Sequence, residues 1–191
     1  MTEVILNKDD PELISECCWA IQRIFNDRRI SATHLINQKL CERMVLLLKA
    51  DDGHITTPIL KAITNILSTE DDQPTQFFIE RGLLNELFRF LDDGACQIKL
   101  ESLFVLSNIA AGTTQQIQTI LDHSFIHILT DLMMFSPDPK LSREACWTLS
   151  NLIKGGSVLQ VRYLLSFLSL LSIHSIVSSQ DELLILVYLV S

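Results

Sequence analysis

Trp147 and Asn151 stand four residues apart in the segment REACWTLSN, residues 143–151. On a helix that spacing puts both side chains on one face. An indole offers a flat wall to an aliphatic stem, and a carboxamide both donates to and accepts from a peptide backbone. Glu144, three residues before Trp147, adds negative charge to nearly the same face. Such a set suits the holding of an extended peptide. A lone helical Trp is more often core than site, so the argument turns on whether the set recurs.

It recurs three times. Forty-three residues earlier the same frame carries Glu101, Phe104, Ser107 and Asn108 in LESLFVLSN, matching Glu144, Trp147, Ser150 and Asn151. Another 43 residues back it carries Lys61, Thr64 and Asn65 in ILKAITN, and 42 before that Glu16, Trp19, Gln22 and Arg23 in ECCWAIQR. The segments that precede these helices repeat as well, as LNKDDPE, LKADDGH and LDDGA. A period of 42–43 residues is that of armadillo and HEAT solenoids, whose units bury their apolar faces only by stacking on neighbours.

The elements follow. Long helices are expected at 11–25, 57–67, 96–110 and 141–153, the last stopped by Gly155-Gly156 as a glycine C-cap. Between them fall a short helix and a longer apolar one: 31–37 and 39–49, 73–80 and 83–91, 114–121 and 125–134. Long, short, long is the three-helix armadillo rhythm. The expected fold is therefore all-α, a right-handed armadillo-repeat solenoid of three-helix repeats. It forms one array: a partial repeat at 1–28, repeats at about 29–70, 71–113 and 114–156, and a partial repeat at 157–191. A helix at 163–177 is uncharged, but at 15 residues it is shorter than the roughly 20 needed to span a bilayer. Residues 183–190 start another long helix. Both ends cut through a repeat, so the expectation is a chain truncated at both ends.

Composition narrows the function. Fifteen basic against 23 acidic residues give a net charge of −8, which disfavours a nucleic-acid surface and suits a basic partner. The five cysteines (17, 18, 41, 96 and 146) include no CxxC pair, and are read as reduced core residues of an intracellular protein. The N-terminal stretch lacks a signal-peptide layout. His123 and His127 have a metal-like spacing, but HSFIH supplies neither the glutamate nor the third ligand of a zinc site. No phosphate-binding glycine loop, G-x-S-x-G or Cys–His pair appears, and neither an enzyme nor a cofactor is expected.

The strings ILKAITNIL, LFVLSNIAAG and REACWTLSNL, with QPTQFFIERGLL and QQIQTILDHSFI between them, resemble the armadillo domain of importin α (karyopherin α), the adaptor for nuclear localisation signals. The resemblance runs from about Asp9 to Leu189 and corresponds to the C-terminal half of that array. Lys61 supports the register, because the family has Arg in place of Trp in its sixth repeat. What the resemblance implies is a concave groove in which cargo lysine and arginine stems lie between indoles. Asn amides clamp the cargo backbone, and acids one turn away take the charged heads. Long cationic stems on aromatic faces give ~0.5–2 kcal/mol of cation–π attraction per contact.

By position, the resemblance makes Phe104, Asn108, Trp147 and Asn151 the minor cargo site, with Glu101 and Glu144 as acids and Ser107 and Ser150 beside the amides. Asn65 and Lys61 extend the row, and Glu16 with Trp19 is the last element of the major site. The implied partners are basic localisation-signal peptides, in cytoplasm and nucleus. Importin β is the family's other partner, but its binding segment has no counterpart here. Two residues depart from the pattern: Phe104 stands for a Trp, and Arg23 takes a clamp position. The alternative reading is a general armadillo interaction scaffold. Groove charge separates the two, and Glu16, Glu101 and Glu144 favour the first.

Overall fold

The computed structural model describes residues 1–26, 36–50, 52–69 and 71–175. Among these residues every regular element is a helix: α1 Thr2–Asn7, α2 Pro11–Asn26, α3 Gln38–Lys49, α4 Gly53–Leu67, α5 Asp72–Glu80, α6 Leu83–Asp93, α7 Cys96–Ala110, α8 Thr114–Asp122, α9 Phe125–Phe135, α10 Pro139–Gly155 and α11 Val158–Ser175. The expected short helix at 31–37 lies mainly outside the described residues. Ile36 and Asn37 are described and non-helical, and the Asn37 side chain caps α3 by accepting from the Leu40 amide. The helix expected at 183–190 lies outside them entirely.

The three-helix rhythm shows in the lengths. Helices α5, α6 and α7 have 9, 11 and 15 residues; α8, α9 and α10 have 9, 11 and 17. Asp52, Asp71 and Asp138 each accept a backbone N–H at a helix start, which satisfies donors that the helix cannot. Thr113 and Gln116 cap α8 reciprocally. The chain is an armadillo-repeat solenoid whose long helices α2, α4, α7 and α10 stack side by side. On their inner faces Ile21, Ile63, Leu106 and Leu149 recur at the repeat period, all buried in one continuous core. Each sits two residues after Trp19, Lys61, Phe104 and Trp147, so burying the first set turns the second to another face of the helix.

Several local expectations change. Helix α4 starts at Gly53, four residues before the expected start, because Asp52 caps it and Ile55 and Thr56 are buried. Pro58 therefore lies inside the helix and forfeits one backbone hydrogen bond. Gly155 ends α10, and Gly156 after it forms no left-handed cap but is extended at φ −72°. Backbone crowds Gly156, whereas at Gly155 only the flexible end of a side chain stands close. A Cβ on Gly155 would stand 2.9 Å from Ile117 Cδ1, and one on Gly156 2.7 Å from the Leu152 carbonyl oxygen.

Helix α11 begins at Val158 rather than 163, because Ser157 and Gln160 exchange cap hydrogen bonds. It then runs unbroken where the two preceding units turn. Those turns use Gly82 at φ 88° and Ser124 at φ 59°, a backbone region costly for bulky residues. The next unit offers Phe167 and Leu168 there, and the helix continues. No helix among the described residues is long and apolar enough to cross a membrane. Of the cysteines, Cys18 and Cys41 are core thiols, and burial pushes both up to about 12. Cys96 corrects the expectation: it is exposed, and its thiol donates to Asp138 at 3.0 Å.

Candidate functional site

The asparagines form a ladder. Asn65 Nδ2 donates to the Gln22 carbonyl at 2.9 Å, Asn108 Nδ2 to Thr64 at 3.2 Å, and Asn151 Nδ2 to Ser107 at 3.1 Å. Each amide thus reaches back 43 or 44 residues to a carbonyl on the preceding long helix. The Thr64 and Ser107 carbonyls also accept the Ser68 and Ala111 N–H groups, so there the ladder amide takes the oxygen's second lone pair. One N–H of each amide is committed to the scaffold, which fixes the amide's orientation. A second N–H and Oδ1 remain for a ligand backbone. Arg23 stands where the fourth ladder amide would be, and it is exposed.

The aromatic positions are unequal. Trp147 is 56% exposed, and Lys154, two turns later on α10, sets its Nζ 5.5 Å from the ring centroid. Phe104 is half-buried, and its ring is smaller than an indole. Trp19 is half-buried too, and its ring is covered by Lys61, whose Nζ lies 5.2 Å from the centroid. Beside it Glu16, Trp19, Ala20 and Arg23 line a depression of about 300 Å³.

The acids differ from the expectation that they stand ready for a ligand's cationic heads. Glu101 is only 6% exposed; Lys61 Nζ lies 3.5 Å from its Oε1, and Gln97 Nε2 donates to it at 2.6 Å. A buried carboxylate needs such partners, because its desolvation is otherwise uncompensated. Glu144 is half-buried and accepts from Ser107 Oγ at 3.0 Å, a bond that ties α10 to α7. Ser150 is half-buried, and Glu16 is exposed at the far end of the row. Sequence reasoning missed Gln97, Lys154 and the Ser107–Glu144 bridge. Lys154 was findable at seven residues after Trp147, two helical turns along one face.

Burial raises the Glu144 carboxyl above the ordinary glutamate value, and the Ser107 hydrogen bond lowers it by less. A raised carboxyl pKa means that the folded state holds its proton to higher pH than the unfolded chain does. The resulting stability is present in acid and lost as pH climbs from the ordinary glutamate value through the raised one. Glu144→Gln is therefore expected to raise the melting temperature at neutral pH, with the gain vanishing below the ordinary glutamate range. A gain that persists there would show that charge is not its cause.

The histidines serve the scaffold. His123 Nδ1–H donates to the Thr119 carbonyl at 2.7 Å, and the His127 ring meets Phe167 edge-on at 4.6 Å. Among the described residues no group of three His, Cys, Asp or Glu side chains could hold a metal ion.

Residues 113–154 match the Armadillo/beta-catenin-like repeat family. The chain is 31% identical over 123 residues to importin subunit alpha-1a of Oryza sativa subsp. japonica, covering 64% of this chain and 23% of that one. It is 29% identical over 124 residues to the probable importin subunit alpha-A of Dictyostelium discoideum, covering 65% and 22%. The chain thus spans less than a quarter of the length of these two relatives. Among solved structures it resembles a designed armadillo repeat protein in complex with the peptide (KR)4, with a TM-score of 0.76 and 24% identity over 86% of this chain and 69% of that one. The likeness fits part of an importin α armadillo array.

Proposed function

We propose that this armadillo scaffold binds lysine/arginine-rich peptides of the nuclear-localisation type along the row formed by α4, α7 and α10. The observation that carries the reading is the amide ladder running in register past an exposed indole. Asn65, Asn108 and Asn151 are held at the repeat period, with Trp147 and Phe104 beside them. An extended peptide offers a backbone N–H and C=O at every residue, which evenly spaced amides can meet whatever the sequence. Indole and phenyl faces then select cationic stems. The net charge of −8 favours the approach of a basic ligand.

Two likenesses support the choice of ligand: the importin α subunits, and the designed armadillo protein bound to an alternating Lys/Arg peptide. Under this reading the protein is an import adaptor of cytoplasm and nucleus, its partners are cargo proteins, and no step makes or breaks a bond. The structure gives the acidic part of the reading less weight than the sequence did, since Glu101 is committed to Lys61 and Glu144 to Ser107.

The test is a titration of the chain with fluorescent (KR)4 and with an acidic peptide of equal length, at two salt concentrations. Binding of the basic peptide alone is expected, weakening as salt rises, because exposed charges are screened beyond roughly 8–10 Å. Equal binding of the acidic peptide would replace this reading with a general interaction scaffold.

A further inference from the structure

We infer that Arg143 and Lys154, on the edge of α10 that faces away from α7, form a subsite for acidic residues, so that the preferred ligand is a lysine/arginine segment with an acidic one beside it. This rests on the peptide-binding reading above and adds to it the charge pattern of the ligand. At about 100° per residue, Glu144 and Asn151 stand roughly 60° and 40° to one side of Trp147, and Arg143 and Lys154 roughly 40° and 20° to the other. The first side faces α7, because Glu144 accepts from Ser107 Oγ and Asn151 donates to the Ser107 carbonyl. The second side therefore borders the row where a ligand that has crossed α7 and Trp147 leaves α10.

Both cations are exposed, and neither forms an ion pair among the described residues. Lys154 keeps its Nζ 5.5 Å from the Trp147 centroid, which places its charge on the row. The carboxylates at hand are engaged: Glu144 with Ser107, and the N-cap Asp138 with the Cys96 thiol and the Lys140 amide. Lys140, in the first turn of α10, adds a third exposed cation. The helix macrodipole disfavours a cation at Lys140 and has fallen off by Arg143, so helix stability accounts for neither; Lys154, in the last turn, does suit it.

The repeat shows that this charge is particular to α10. At the register of Arg143 the other long helices carry Ser15, Thr57 and Leu100. Charge also reverses along the row: α2 has Glu12 and Glu16 against Arg23, whereas α10 has Lys140, Arg143 and Lys154 against Glu144. A uniformly basic peptide is repelled where it leaves α10. A carboxylate there meets an ammonium and a guanidinium, and the latter can hold it through two parallel hydrogen bonds.

The experiment titrates labelled (KR)4, alone and with three glutamates or three control glutamines added at either end, against the whole chain and its Arg143→Gln/Lys154→Gln variant. For one of the two ends, the glutamate peptide is expected to bind the native chain about three- to tenfold more tightly than its glutamine control. The net charge of −8 by itself would produce the opposite order. In the double variant the two peptides should bind alike. Glutamine controls that bind as tightly at both ends, or an advantage that survives in the variant, would overturn this inference and leave the peptide-binding reading standing. Melting is followed in parallel, and Arg143→Gln alone decides by the same comparison if the double variant does not fold. Failure of the native chain to bind (KR)4 and both glutamine controls would overturn both.

Discussion

Trp147→Ala is expected to weaken binding of a lysine/arginine peptide by at least tenfold, and on the order of thirtyfold if the residue is a hot spot. Two contributions add and a third opposes them. The ring supplies cation–π attraction of ~0.5–2 kcal/mol to a ligand ammonium. It also supplies the wall against which an aliphatic stem is desolvated, at about 0.8 kcal/mol per methylene fully buried. Opposing both is the removal of Lys154 from the ring, where it now lies 5.5 Å from the centroid. That contact is exposed and is worth about 0.5–1 kcal/mol, too little to hold the site shut. Because Trp147 is 56% exposed, its removal leaves the core intact, and the melting temperature should scarcely change. Unchanged affinity in Trp147→Ala, measured by fluorescence anisotropy, would remove this residue from the site.

The largest stability effect is expected inside the array. Phe125 opens α9, is fully buried, and meets Phe88 edge-on with centroids 5.6 Å apart. Phe125→Ala should cost about 3–5 kcal/mol, from lost burial and from the cavity left in a core that relaxes only partly. At roughly 2–4 °C per kcal/mol for a chain of this size, the melting temperature falls by about 6–20 °C. Phe135, ten residues on in the same helix, is 72% exposed, and Phe135→Ala should stay within about 0.5 kcal/mol of the native chain. Thermal unfolding of the two variants side by side checks both numbers. Similar losses would mean that the face carrying Phe135 is covered by something other than solvent.

The contrast between these two phenylalanines also marks how far a sequence can be read. Both lie in apolar helix pattern, and periodicity alone assigns neither to core with certainty. Ile21, Ile63, Leu106 and Leu149 are different: they recur at the repeat period, and all four are buried together. In a stacked array the same position in each unit meets the same neighbour, so repetition converts a weak local signal into a strong one. The same logic placed Asn65, Asn108 and Asn151 in one row. Where repetition fails, so does the reading. The unbroken α11 replaces a turn whose signal is missing from its unit. The start of α4 is the opposite case: Asp10, Asp52 and Asp138 cap α2, α4 and α10 at the repeat period, so repetition did carry that signal.

What the sequence determined by itself is therefore periodic: the all-α solenoid, the order of long helices, and the register that brings Trp19, Lys61, Phe104 and Trp147 to equivalent places. These follow from the spacing of apolar residues along each helix and from the repeat length, both one-dimensional quantities. Only the tertiary structure decided which partners those side chains take. Each ladder amide donates to a carbonyl 43 or 44 residues back, Glu144 accepts from Ser107, and Lys61 lies between Trp19 and Glu101. Such pairings depend on the distance and rotation between stacked helices, which bring groups within about 3 Å across unit boundaries. No spacing within one helix encodes that. A glutamate in the right register thus reads as a free acid until the neighbouring helix is in place and its lysine neutralises it.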